Sequence, residues 1–191
     1  MISGAVRDEL IARYREPHRR YHTMAHIEDC LEQVRASTDL DAGQRDLLEA
    51  ALWFHDAVYD PTRSDNEAES ARLARDRLTR EGAAPAFIEE VERLIQLTAG
   101  HAVEDGDRLG ARLVSIDLSI LGAEPERYDD YARAVREEYA YVPEPAWRAG
   151  RAAVMQRFLD APRLFPDPEW ANRCEAQARC NIRREIADLT V

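Results

Sequence analysis

Residues 51–61, ALWFHDAVYDP, set the hardest condition on the fold: they place an adjacent histidine and aspartate inside an otherwise apolar run. At helical spacing Leu47, Ala51, Phe54 and Val58 form one stripe, and Leu48, Leu52, His55 and Tyr59 form the stripe beside it. A helix that is apolar on two adjoining faces is buried on both, and the ionisable pair goes inside with it. A buried carboxylate without a partner costs several kcal/mol or takes up a proton. Something must therefore hold Asp56.

The remaining sequence reads as helices separated by breakers, with nothing that specifies a sheet. The spacing predicts helices over 2–15, 23–36, 42–59, 66–80, 85–100, 125–141, 145–159 and 168–189, with a short apolar segment, ARLVSIDLSILG, after a polar loop. The third of these carries the His-Asp pair and ends before Pro61. Asn66 and Glu69 read as a capping box for the fourth, and Pro85 as a first-turn proline of the fifth. The expected fold is an all-α helical bundle. At 191 residues it is expected to be a single domain spanning 1–191, since no linker, repeat or low-complexity segment divides it.

Several function classes drop out. The net charge of −11 opposes binding of long nucleic acid through a basic surface. No apolar run approaches the roughly 18 residues of a membrane span. The N-terminal MISGAVRDELIARYR carries charges where a secretory signal needs an apolar core. Cys30, Cys174 and Cys180 are odd in number and lack a CxxC, so neither a disulfide framework nor a zinc knuckle is expected. A cytoplasmic location follows as the expectation. All 26 basic residues are arginine, which excludes a P-loop lysine, a Schiff base and a lysine general base.

The five histidines are His18, His22, His26, His55 and His101. His22 and His26 are four apart and share a helix face, and His26 lies at the border of its helix's apolar stripe. Asp117, between Ile116 and Leu118, is a second carboxylate in an apolar segment, where it either caps a helix or ligates. His26, His55, Asp56 and Asp117 together offer two imidazoles and two carboxylates from three distant segments. Mixed nitrogen and oxygen ligation of this kind suits a divalent transition metal with positions left for water. A cation there would also explain how Asp56 is buried and ionised.

A histidine, then an adjacent His-Asp pair, then a distant aspartate resembles the signature of the HD superfamily of metal-dependent phosphohydrolases. The flanking EPHRRYHTMAHI, WFHDAVYDP, DNEAESA, SIDLSILG, REEYAYV, GRAAVM and ARCNIRRE are similar to one branch of predicted HD phosphohydrolases, over nearly the whole chain. The resemblance implies a helical HD-type domain with a central metal cleft, one divalent ion (Mn, Fe, Co, Ni, Zn or Mg), and His26, His55, Asp56 and Asp117 as its ligands. It implies hydrolysis of a nucleotide or other small phosphorylated metabolite. Many HD enzymes have a glutamate three residues beyond the aspartate of the pair; here that position is Tyr59, so proton transfer falls to Asp60 or Glu67. Asp60 also reads as a helix-ending residue and Glu67 as a first-turn acid.

Phosphate binding falls to arginine by elimination of lysine, with Arg19 and Arg20 beside the histidine helix, and Arg151 and Arg179 as secondary candidates. His22 and His101 join the phosphate candidates, and His101 could equally ligate a second metal or cap its helix. Two other functions stay open. A non-catalytic nucleotide or metal sensor is compatible with the tyrosine at position 59. An HD-type di-iron oxygenase needs more histidines between Asp56 and Asp117 than the single His101 that this chain offers.

Overall fold

The structure is a computed structural model that describes residues 2–190. Among these residues there are nine α-helices and one 3₁₀ turn, with no strand, as the helical periodicity requires. The chain divides into two compact units, Met1–Asp117 and Leu118–Val191.

The first unit contains α1 (Gly4–Tyr14), α2 (Met24–Ala36), α3 (Ala42–Phe54), α4 (Asn66–Arg80), α5 (Pro85–Leu97) and α6 (Arg108–Asp117). Its centre is α3, which packs on α2, α4, α5 and α6. The doubly apolar stripe is the reason: Leu48, Ala51, Leu52 and Phe54 are all solvent-inaccessible. They meet Ile27 and Val34 of α2, Val91, Leu94 and Ile95 of α5, and Leu113, Val114 and Ile116 of α6 as one buried apolar set. An Asp41–Gln44 capping box starts α3. The first turn of α6 is held by Asp107, whose Oδ1 accepts from the Gly110 amide at 2.9 Å and whose carboxylate also binds Arg93. Gly110 is needed there, because a Cβ would lie 2.6 Å from Leu97 Cδ1 and closer still to Asp107 Oδ2.

Two expectations are corrected. The third helix ends at Phe54 and not at position 59, so His55 is its C-cap and Asp56 stands in the turn that follows. Asn66 does not cap α4; Asp65 holds the cap position, and the Asn66 side chain instead grips the backbone of Asp60, donating to its carbonyl at 2.9 Å and accepting from its amide at 3.1 Å.

The second unit holds the 3₁₀ turn (Leu118–Gly122), α7 (Pro125–Glu138), α8 (Glu144–Asp160) and α9 (Pro168–Thr190). The long α9 packs on α8 and on the 3₁₀ turn. Asn181 fastens that turn by donating to the carbonyls of Leu121 and Ala123 at 2.9 and 2.8 Å. Gly122 lets it approach, since a Cβ there would lie 2.6 Å from Cys174 Cβ.

Candidate metal centre

The early end of α3 strips the chain of its helical hydrogen bonds at the point where it is most buried, and every such group must find another partner. Side chains supply them. His55 Nδ1 donates to the Leu52 carbonyl at 2.9 Å, and Tyr14 Oη donates to the Trp53 carbonyl at 3.0 Å. Arg19 donates to the carbonyls of Asp56 and Ala57 at 2.8 and 3.2 Å. Ser70 Oγ accepts from the Val58 amide at 3.0 Å, and His18 Nε2 lies 2.8 Å from the Tyr59 carbonyl. The turn is thus built from distant residues, and it points His55 and Asp56 inward side by side.

Four side chains converge at that point. His55 Nε2 lies 3.3 Å from His26 Nε2, 3.0 Å from Asp56 Oδ2 and 3.4 Å from Asp117 Oδ1. His26 Nε2 lies 3.2 Å from Asp117 Oδ1 and 3.8 Å from Asp56 Oδ2. Ligand atoms of His26, His55 and Asp117 all fall within 4.8 Å of one another, and Asp56 joins the group through the two imidazoles. An ion with bonds of about 2.1 Å separates neighbouring ligands by about 3.0 Å in an octahedron and about 3.4 Å in a tetrahedron. The spacings of 3.3, 3.2 and 3.4 Å among His26, His55 and Asp117 match that geometry, so these three could hold a divalent ion, with Asp56 beside them.

The protonation pattern agrees. A carbonyl can only accept, so the contact with Leu52 requires the proton of His55 on Nδ1, which leaves Nε2 to face the cluster. Burial works against a charge on His55, but the carboxylates of Asp56 and Asp117 outweigh it and raise its pKa well above 6.5. Burial likewise opposes ionisation of Asp56, yet His55, His22 and His26 hold its carboxyl far below the usual range. Asp117 is held down against burial by His55, His101 and His26. Two partly buried carboxylates are thereby kept ionised beside the imidazoles.

Supporting contacts hold the other ligands. Tyr21 Oη lies 3.2 Å from His26 Nδ1, and the Cys30 thiol lies 3.8 Å from both nitrogens of the same ring. Burial, with Asp117 and Asp56 nearby, pushes the Cys30 thiol pKa up, so it lines the site as a neutral group. His101 Nε2 lies 3.4 Å from Asp117 Oδ2, while Oδ1 of the same carboxylate faces His26 and His55. His101 sits at φ +55°, in the left-handed region that costs a non-glycine residue about 1–2 kcal/mol, with its amide closing onto the Leu97 carbonyl at 2.8 Å. It therefore both ends α5 and reaches the cluster. His22 stacks on Tyr59 with ring centroids 4.2 Å apart, and its charge acts on Asp56.

Most of the other expected site residues have partners of their own. Arg19 is expected to meet phosphate, but every nitrogen of its guanidinium donates to the protein. Arg20 donates to the carbonyls of Pro17 and Arg19 at 2.6 and 2.9 Å. Asp60 turns its carboxylate to the amide and hydroxyl of Thr62, at 2.9 and 2.7 Å, and shapes the PTRSD loop. Glu67 opens α4 at its second residue, and among the described residues no hydrogen bond or ion pair ties it to the cluster. In the second unit Arg151 pairs with Glu185 at 2.7 Å, and Arg179 pairs with Glu175 at 2.7 Å and donates to the carbonyls of Leu159 and Ala161. The tasks of Arg19 and Tyr21 leave no local sequence signal beyond their place just before the histidine helix.

No helix among the described residues is long and apolar enough to cross a membrane. Comparison with protein-family models, curated proteins and solved structures found no match to this chain, and the chemistry of the centre therefore rests on its own geometry.

Proposed function

We propose that the chain is a metal-dependent phosphohydrolase of the HD type, acting on a nucleotide or another small phosphorylated metabolite. The observation that carries this reading is the convergence of His26, His55 and Asp117 within ligating distance, with Asp56 beside them, in a buried position that keeps both carboxylates ionised. The order of these residues along the chain is also that of the HD signature. A divalent ion held by these four would supply Lewis acidity, polarising a phosphoryl oxygen and lowering the pKa of water.

The chain's own residues divide the remaining work. The Leu52 carbonyl and Tyr21 orient the two imidazoles, and His101 orients Asp117. His22 and His101 are half-buried at the edge of the cluster, where an imidazolium would face an anionic substrate. Asp60, held by Thr62, and Glu67, at the start of α4, are less well supported as proton carriers than the sequence suggests.

That last point favours a second reading, a nucleotide or metal sensor that retains the centre without turnover. One experiment separates the readings. Metal content is measured by elemental mass spectrometry on the wild type and Asp56→Ala, followed by a phosphoester screen with the ion found. Metal bound by the wild type and lost in the variant, with turnover that follows the metal, supports the hydrolase. Metal and nucleotide binding without turnover supports the sensor. A wild type that stays metal-free after incubation with Mn²⁺, Co²⁺ and Mg²⁺ overturns both.

A further inference from the structure

Arg19 is an unusual use of a charged residue. Its side chain is 0% exposed, although arginine is among the residues least often fully buried. The guanidinium lies over two aromatic rings, 5.2 Å from the centroid of Tyr14 and 5.3 Å from that of Tyr59. Its Nε donates to Glu16 at 3.1 Å, and Nη1 donates to two carbonyls at once, His22 at 3.0 Å and Asp56 at 2.8 Å. Nη2 completes the fan on the Ala57 carbonyl.

Those two carbonyls belong to the two segments that must meet for a metal centre to exist. His22 leads directly into α2, which carries His26 one turn further on. Asp56 is itself a ligand and neighbours His55. One planar cation therefore bridges the His26 segment and the His-Asp turn, with the two aromatic rings against it. Tyr59 has a second contact, its stack on His22, which ties the same two segments again.

We infer that Arg19, held against Tyr14 and Tyr59, is a positioning residue that sets His26 at ligating distance from His55 and Asp56. This rests on the metal-centre reading above. It also gives Tyr59 a task, that of closing the clamp, at the position where the HD pattern often has glutamate. Lysine cannot replace Arg19, because one ammonium cannot reach acceptors spread around a planar fork.

The test is titration with Co²⁺ alone, read by its visible d–d absorption, on the full chain and its variants. Arg19→Lys is expected to bind Co²⁺ about 10–100-fold more weakly, the usual effect of losing an outer support, with an altered d–d spectrum. A merely structural role would lower the melting temperature but leave the spectrum of the folded, loaded protein unchanged. A folded Arg19→Lys with wild-type affinity and spectrum overturns the inference. Should Arg19→Lys fail to fold, Tyr59→Leu and Tyr59→Phe decide: Tyr59→Leu loses affinity about 10-fold or more and Tyr59→Phe rescues it, whereas wild-type affinity in both overturns the inference. A wild type that binds no Co²⁺ overturns the metal centre itself, a result distinct from any of these.

Discussion

The Leu52 carbonyl accepts a hydrogen bond from His55 Nδ1 at 2.9 Å, and this single contact links the end of a helix to the chemistry of the site. It satisfies a buried acceptor that the interrupted helix would otherwise strand. It also settles which nitrogen of His55 faces His26 and the carboxylates.

His55→Ala should therefore fail in two measurable ways. Metal affinity is expected to fall by more than about 100-fold, beyond the usual effect of an outer support, because a ligand is gone. The chelated protein is expected to lose stability as well, by about 1–3 kcal/mol for the stranded Leu52 carbonyl alone. Metal titration and denaturant unfolding in chelator check the two effects separately. A variant with wild-type metal affinity would remove His55 from the ligand set.

Asp56 and Asp60 are four residues apart and chemically identical, so they form a natural control pair. Asp56→Ala is expected to abolish metal retention, whereas Asp60→Ala is expected to keep stoichiometric metal because its carboxylate is bound to Thr62. Elemental analysis of the two purified variants reads the difference directly. Loss of metal in Asp60→Ala would return that residue to the centre.

The boundary of α3 shows what was legible in the sequence and what was not. Helices were placed to within a few residues wherever prolines and polar breakers act locally, as at Pro85, Pro125 and Pro168. The third ran five residues too long because its end is made by Tyr14, Arg19, Ser70 and Asn66, none of which is local to it. Asp117 was legible as a carboxylate out of place in an apolar segment. Arg19 was not, since a buried arginine has the same letter as a solvated one. Asn66 misled for the opposite reason: its spacing from Glu69 is that of a capping box, but the Asp60 backbone six residues earlier took its side chain.

Protonation of His55 gives the chelated protein a pH dependence with a definite sign. Against the opposing effect of burial, Asp56 and Asp117 raise its pKa above 6.5, so its contribution is complete below 6.5 and is lost as pH rises through the folded value. Asp56 and Asp117 are depressed below 3.8, so theirs is present above 3.8 and is lost as pH falls through the folded values. The chelated protein is thus expected to weaken on the alkaline side. A bound cation replaces the His55 proton and removes that loss. The gap in melting temperature between loaded and chelated protein should widen as pH rises from about 6 to 9, with about one proton released per ion in calorimetry. A gap independent of pH would contradict the assignment of His55.

In the second unit, Arg151 and Glu185 are a buried pair at 2.7 Å, with exposures of 8% and 11%, and Tyr128 donates a further hydrogen bond to Glu185. Breaking such a pair from one side strands a charge. Glu185→Ala is expected to cost about 3–5 kcal/mol, because among the described residues the guanidinium then keeps its contact with Tyr131 at 3.1 Å and loses both bonds to carboxylate. Replacing the pair with apolar residues of similar size should recover most of this, since desolvation of both charges is avoided. Arg151→Met with Glu185→Leu would leave the Tyr128 hydroxyl with the weak sulfur acceptor Met155 Sδ at 3.6 Å, so the fuller recovery requires Tyr128→Phe as a third change. Denaturant unfolding of the single, double and triple variants tests the order. Metal affinity is the second readout: if Arg151 is structural, it stays at the wild-type value in the triple variant. A large loss of phosphoester binding there, with metal affinity intact, would instead restore Arg151 to the anion-binding role that its sequence motif suggests.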